Sequence, residues 1–164
     1  MENGLPKRKL IRLPKFDYAT HACYFITICC KDRKRLFGKI VGEAYMPPVH
    51  VCLSKTGKVA ERNLLAIEEH NPQARIEKYV IMPDHLHMIL SIGCQGKTAA
   101  GGIYAAPTVP RIMNSYKASV SRDIGFPVWQ RSYHDHIIRD HHDFEEIWKY
   151  IANNPTQWVL DGKA

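Results

Sequence analysis

The apolar residues fall into short runs and one-sided stripes, and two periods in them predict alternating strands and helices. Tyr24-Phe25-Ile26-Thr27-Ile28-Cys29-Cys30 is a β-branched and aromatic run that predicts a buried strand. A second short strand is expected over Val49 to Leu53, with Ser54 behind it in the place of a helix N-cap. From Lys55 to about His70, the apolar residues Val59, Ala60, Leu64 and Ile67 recur at helical spacing. Arg75 to Met82 and His85 to Ile92 predict two strands, interrupted by Pro83-Asp84. Arg111 to Ile124 reads as a helix that ends at Gly125. Tyr133 to Arg139 reads as a last strand, and Asp143 to Asn154 as a last helix stopped by Pro155.

The order is strand, helix, strand, strand, helix, strand, then a further helix. It predicts the α+β class: a ferredoxin-like (RRM-like) βαββαβ sandwich, with an antiparallel sheet covered by helices on one face, plus a C-terminal helix that carries Tyr150. Residues 93–110 are rich in Gly, Ala, Thr and Pro and predict a mobile internal loop. The 164 residues suit a single domain spanning 1–164. No internal repeat is visible.

Charge changes the picture more than composition does. The hydrophobic fraction of 45% is ordinary, but the formal net charge is +7 and the pI about 9.2. That balance favours a polyanionic partner such as nucleic acid, although a solvated basic surface gives the same count. Residues 1–15 form a basic arm with Lys7, Arg8, Lys9, Arg12 and Lys15. Lys31, Arg33, Lys34 and Arg35 put four positive charges into five residues at the exit of the first strand. The five cysteines (Cys23, Cys29, Cys30, Cys52, Cys94) are odd in number and lack CxxC spacing. This argues against a disulfide framework or a thiolate zinc site and fits a reducing cytoplasm. No apolar leader or membrane-length run is present, so a cytoplasmic protein with no membrane partner is expected.

The candidate chemistry centres on Met82-Pro83-Asp84-His85-Leu86-His87-Met88. Residues i and i+2 of a strand point to one face, so His85 and His87 project together while Leu86, Met88 and Leu90 face a core. Two neighbouring imidazoles make half of a divalent-metal site, or equally a pair of partly buried strand histidines bonded to neighbours. On the last predicted helix, Tyr150 and Asn154 share a face at i, i+4. A phenol ionises at a pH of about 10 and is a poor nucleophile at neutral pH. A metal that polarises a phosphate oxygen makes phosphorus more electrophilic and the attack feasible. An Asn154 amide oxygen can serve as a third, neutral ligand for Mg²⁺ or Mn²⁺. The alternative is that Tyr150 packs on the sheet and Asn154 is an ordinary residue before proline.

Three ordered motifs resemble one family. Met82 to His87, then Trp129-Gln130-Arg131-Ser132-Tyr133-His134-Asp135-His136, then Tyr150-Ile151-Ala152-Asn153-Asn154-Pro155 resemble the single-tyrosine HUH transposases. Among these, the chain is most similar to the REP-associated tyrosine transposases and their insertion-sequence relatives, from about Arg12 to Trp158. The resemblance implies that His85, His87 and Asn154 hold the metal and that Tyr150 attacks single-stranded or hairpin DNA, giving a 5′-phosphotyrosine and a free 3′-hydroxyl. It implies a homodimer or a monomer. One departure is Asp84, where such proteins often carry asparagine; a carboxylate there can hydrogen-bond locally without removing a ligand.

Arg12, Lys31, Arg33, Lys34, Arg35, Lys117 and Arg131 are candidate DNA contacts, each of which can equally be a solvated charge. Asp84, Asp135 and His136 are candidate supports for the site, since an acidic residue followed by histidine belongs to the last strand in the resemblance. Trp129 and Tyr133 are expected in the core or at its edge. Ser115 and Ser121 lack a histidine at catalytic spacing. The competing class is a non-catalytic single-stranded nucleic-acid-binding module or a domesticated, inactive transposase. A zinc hydrolase or deaminase ranks last, for want of a cysteine pair or an HxE arrangement.

Overall fold

A computed structural model of the chain describes residues 22–93 and 107–163. The basic arm with Arg12, and most of the expected loop 93–110, lie outside the described residues. Strand β1 spans Ala22–Cys29 and is followed by a short turn, Lys31–Arg33. Strands β2 (Gly38–Glu43) and β3 (Met46–Leu53) form a hairpin before helix α1 (Lys55–His70). Strands β4 (Ala74–Ile81) and β5 (His85–Ile92) lead to helix α2 (Val109–Ile124). Strand β6 (His134–Ile138) and helix α3 (His141–Leu160) follow. The main sheet runs β4-β5-β1-β6 with every neighbouring pair antiparallel, and β2-β3 is a separate two-stranded sheet.

Period-2 patterning decides the faces. Tyr24, Ile26 and Ile28 of β1 and Leu86, Met88 and Leu90 of β5 point to one side. They pack there with Ala60, Leu64 and Ile67 of α1 and Ile112, Met113, Tyr116 and Val120 of α2. Trp129 and Tyr133 belong to the same core. Local signals set the ends of both helices. The Ser54 hydroxyl accepts from Gly57 N at 3.0 Å and donates to Leu36 O at 2.7 Å. Gly125 ends α2 at φ 91°, a left-handed conformation that glycine adopts without strain.

Two expectations need correction. The β2-β3 hairpin was represented only by a short strand at Val49 to Leu53; most of β2 is exposed, so little apolar alternation marks it. Helix α3 does not stop at Pro155 but carries it inside and continues to Leu160. Proline in a helix interior costs about 3 kcal/mol. Burial of Trp158 on the sheet, worth about 4–6 kcal/mol for a tryptophan at 25 cal/mol per Å², more than offsets that. Helices α1 and α2 share one face of the sheet. α3 lies on the side opposite α1 and α2, against Phe25, His85 and His87, and so β5 is buried along its whole length.

Gly57 shows how closely α1 enters the fold. A Cβ there would collide with the Phe37 backbone carbonyl, which also accepts from Ser54 N and so cannot retreat freely. Gly57→Ala is expected to destabilise the protein by about 1–3 kcal/mol in urea unfolding, although alanine is the better helix former.

Candidate active site between the sheet and the last helix

β5 and β1 pair so that His85 lies opposite Cys29 and His87 opposite Thr27, with all their odd-numbered side chains on the α3 side. The two imidazoles converge there, with His85 Nε2 3.1 Å from His87 Nε2. Each Nδ1 is held from behind. Asp84 Oδ1 accepts from His85 Nδ1 at 2.6 Å, and Thr27 Oγ1 lies 2.8 Å from His87 Nδ1. One set of neutral tautomers satisfies all three contacts. His85 donates to Asp84, His87 Nε2–H donates to His85 Nε2, and the Thr27 hydroxyl donates to His87 Nδ1.

Burial keeps both rings neutral. It lowers the His85 pKa against the opposite pull of Asp84. It pushes His87 from 6.5 to about 3, with His85 and then Arg33 adding to the effect. Asp84 is itself buried, and its second oxygen accepts from Arg33 Nε at 3.1 Å. Its backbone is tied down as well, since Cys30 N donates to Asp84 O and Phe37 N to Pro83 O. The buried Cys30 thiol beside this turn is pushed up to about 12, chiefly by desolvation, which leaves it un-ionised and inert at neutral pH.

α3 supplies the opposite wall. Tyr150, half exposed, sets its ring edge-on to His87 at 5.3 Å and to Phe25 at 5.9 Å. Asn154, one turn on, is buried in the same cleft, and the Trp158 ring lies 5.7 Å from that of His85. The cleft encloses about 230 Å³ and is also lined by Thr27, Arg33, Gln157, Asp161 and Lys163. Asp161 accepts from Gln157 Nε2 at 2.7 Å and pairs with Lys163 Nζ at 2.8 Å, which lowers its pKa. Gln157, Trp158 and Asp161 continue the i, i+3, i+4 face that begins at Tyr150 and Asn154. Ending the helix at Pro155 hid them; the spacing itself was the available signal. Thr27 had no sequence signal, because its role comes from pairing with a strand 60 residues away.

The other candidates are scattered. Among the described residues, Arg33 alone of the candidate DNA contacts lines the cleft. Arg35 stands 5.6 Å over the Trp158 ring, while Lys31 and Lys34 are exposed on the neighbouring turn. Lys117 Nζ donates to Gln130 O at 2.6 Å and Arg131 O at 3.0 Å, bracing the segment before β6, and Arg131 is exposed there. His136 donates to Asp143 Oδ2 at 2.9 Å, which ties β6 to the first turn of α3. Asp135 pairs opposite Ile26 and so faces the other side of the sheet. Neither Asp135 nor His136 lines the cleft.

The residues fit a small divalent cation. Bonds of about 2.1 Å at a right angle place two nitrogens about 3.0 Å apart, against about 3.4 Å at the tetrahedral angle. At 3.1 Å the two Nε2 atoms are close enough for both to reach one such ion. Holding a cation there needs only a proton shift within the His87 ring to Nδ1, with Thr27 turning from donor to acceptor. Among the described residues there is no group of three or more His, Cys, Asp or Glu placed to bind a metal. The third donor would be the Asn154 amide, buried beside the pair.

No protein-family model matches the chain. A Haemophilus influenzae protein described as uncharacterized is 35% identical over 174 residues, covering 96% of this chain and 93% of its own. A solved structure of the REP-associated tyrosine transposase bound to a REP hairpin superimposes with a TM-score of 0.62. That match covers 93% of this chain and 76% of the other, at 17% identity. At that identity the likeness is one of fold: the chain has a transposase-like fold. Among the described residues no helix is long and apolar enough to cross a membrane.

The depressed His87 pKa has a stability consequence. The unfolded chain binds a proton at this residue near pH 6.5, the folded chain only near 3, so folding weakens as pH falls through that window. From pH 7 to pH 5, His87 alone is expected to remove about 2 kcal/mol from the unfolding free energy. Urea titrations in EDTA at the two pH values measure it, and His87→Gln should remove that share of the slope.

Proposed function

We propose that this chain, which belongs to the same family as the Haemophilus influenzae protein, is a metal-dependent transposase that cleaves and rejoins single-stranded DNA through Tyr150. The observation that carries this reading is the Tyr150 ring seated against His87, whose Nε2 converges with that of His85. A structural histidine pair has no need of a half-exposed tyrosine beside it, nor of a buried amide in the same cleft. We read the main sheet as the ferredoxin-like sandwich, with the β2-β3 hairpin inserted between its first strand and first helix.

The Tyr150 oxygen attacks the phosphorus of a DNA phosphodiester. A Tyr–O–P bond forms, the bond to the 3′ oxygen breaks, and the phenolic proton is balanced by the proton gained on the released 3′-hydroxyl. The 5′-phosphotyrosine conserves the ester bond energy, so another 3′-hydroxyl can reverse the step and join a new strand without ATP. His85, His87 and Asn154 would hold Mg²⁺ or Mn²⁺, which supplies charge stabilisation for the phosphoryl oxygens. Asp84 and Thr27 fix the ring orientations in advance, so little rearrangement is needed at the moment of reaction. The similar transposase was solved on a REP hairpin, which supports hairpin or single-stranded DNA as the partner here. One nucleophilic tyrosine per chain suits exchange of two DNA ends by a homodimer.

Two measurements test this. With Mn²⁺ and labelled hairpin DNA from the flanks of its own gene, the protein is expected to give a covalent band on denaturing gels. Tyr150→Phe or EDTA should abolish it; tight DNA binding with no adduct on any substrate or metal would sink the proposal. Thr27→Val removes the partner of His87 Nδ1 and should weaken Mn²⁺ binding about 10–100-fold by titration calorimetry, with the fold retained.

A further inference from the structure

Among the described residues, Asp32 and Arg33 are the only non-glycines with positive φ, at 56° and 54°. A left-handed aspartate is common in turns, whereas arginine gains nothing local from that conformation. Strain of this kind persists where the surroundings demand it. Here the turn directs the Arg33 side chain onto Asp84, with Nε 3.1 Å from Oδ2, while Nη1 reaches Cys29 Sγ at 2.7 Å. The guanidinium is half exposed, on the wall of the cleft that also holds Tyr150 and the histidine pair.

We propose that Arg33 is the anion anchor of this cleft, binding a non-bridging oxygen of the DNA phosphodiester presented to Tyr150, with Asp84 as its positioning residue. The inference takes its phosphodiester ligand from the function proposed above. A guanidinium has five N–H donors, and the contacts to Asp84 and Cys29 engage only two of them. The remaining planar fork suits a phosphate, to which arginine bonds through paired, charge-assisted N–H groups. Asp84 spans both halves of the site. One oxygen orients His85 and the other orients Arg33, so the imidazole pair and the anchor are set at a fixed spacing by one buried carboxylate. The rival cation in the cleft, Lys163, is paired with Asp161 and lies over the Trp158 ring, and an ammonium lacks the fork.

The test is DNA binding in EDTA, in a Tyr150→Phe background so that no strand is cut. The probe is a fluorescent hairpin DNA with a single-stranded flank. Arg33→Gly is the informative variant, because glycine takes φ 54° without strain, and thermal melting verifies the fold. Its affinity is expected to fall about 5–10-fold, and the slope of log K against log salt by about 0.7, with partial recovery in Arg33→Lys. Neutral methylphosphonate linkages are then placed singly along the flank. At one position the Arg33-containing protein should lose the same factor while Arg33→Gly loses nothing further. Asp84→Asn keeps an acceptor for His85 and loses the one for Arg33; it should broaden that single dip over neighbouring phosphates without changing the salt slope. Unchanged affinity in Arg33→Gly, or a loss equal at every methylphosphonate position, overturns the anchor. A dip unmoved by Asp84→Asn overturns the positioning role. Absence of covalent adducts with the intact tyrosine would instead sink the strand-transfer reading, since this binding needs no phenol oxygen.

Discussion

The packing of α3 across the outer face of the sheet is the constraint on which the site depends. Without it, the outward row of β5 would face water, and His85 and His87 would be ordinary surface imidazoles. With Ile151, Pro155 and Trp158 buried beneath the helix, β5 is covered on both faces. That single docking event lowers both histidine pKa values, brings Tyr150 against His87 and lays Trp158 beside His85. It also explains why a proline is tolerated inside the helix. The apolar burial on either side of Pro155 outweighs one lost backbone hydrogen bond and the local clash.

Burying so many polar groups is costly unless each has a partner, and the cleft meets this by pairing. The imidazoles are neutral and bonded to each other, and the buried Asp84 carboxylate is set against Arg33, while at the exposed rim Lys163 pairs with Asp161. The cleft is therefore close to electrically balanced, and the two Nε2 atoms already converge in it. Such preorganisation suits phosphoryl transfer, where positioning and charge stabilisation do most of the work.

Much of the fold was legible because its signals are local. α1 and α2 appear at nearly their observed limits, since Ser54 and Gly125 are end signals that act within one turn. β1 and β5 are equally plain from their apolar runs. The β2-β3 hairpin was harder: its outer residues Val41, Tyr45 and Met46 are exposed, and Pro47-Pro48 interrupts the run that would otherwise mark a strand. The end of α3 was misplaced because a sound local rule about proline was overridden by packing that no local pattern reveals.

By itself, the sequence determined the two spacings from which the site is built. His85 and His87 at i, i+2 must share a face of a strand, and Tyr150 and Asn154 at i, i+4 must share a face of a helix, because both follow from backbone periodicity alone. Tertiary structure decided everything that lies between those elements. It chose the face of the sheet that α3 covers, set the 3.1 Å gap between the Nε2 atoms, brought Thr27 to His87, and turned Arg33 back onto Asp84. These are distances between segments far apart in the chain. They arise from strand register and the burial of apolar surface rather than from any local period.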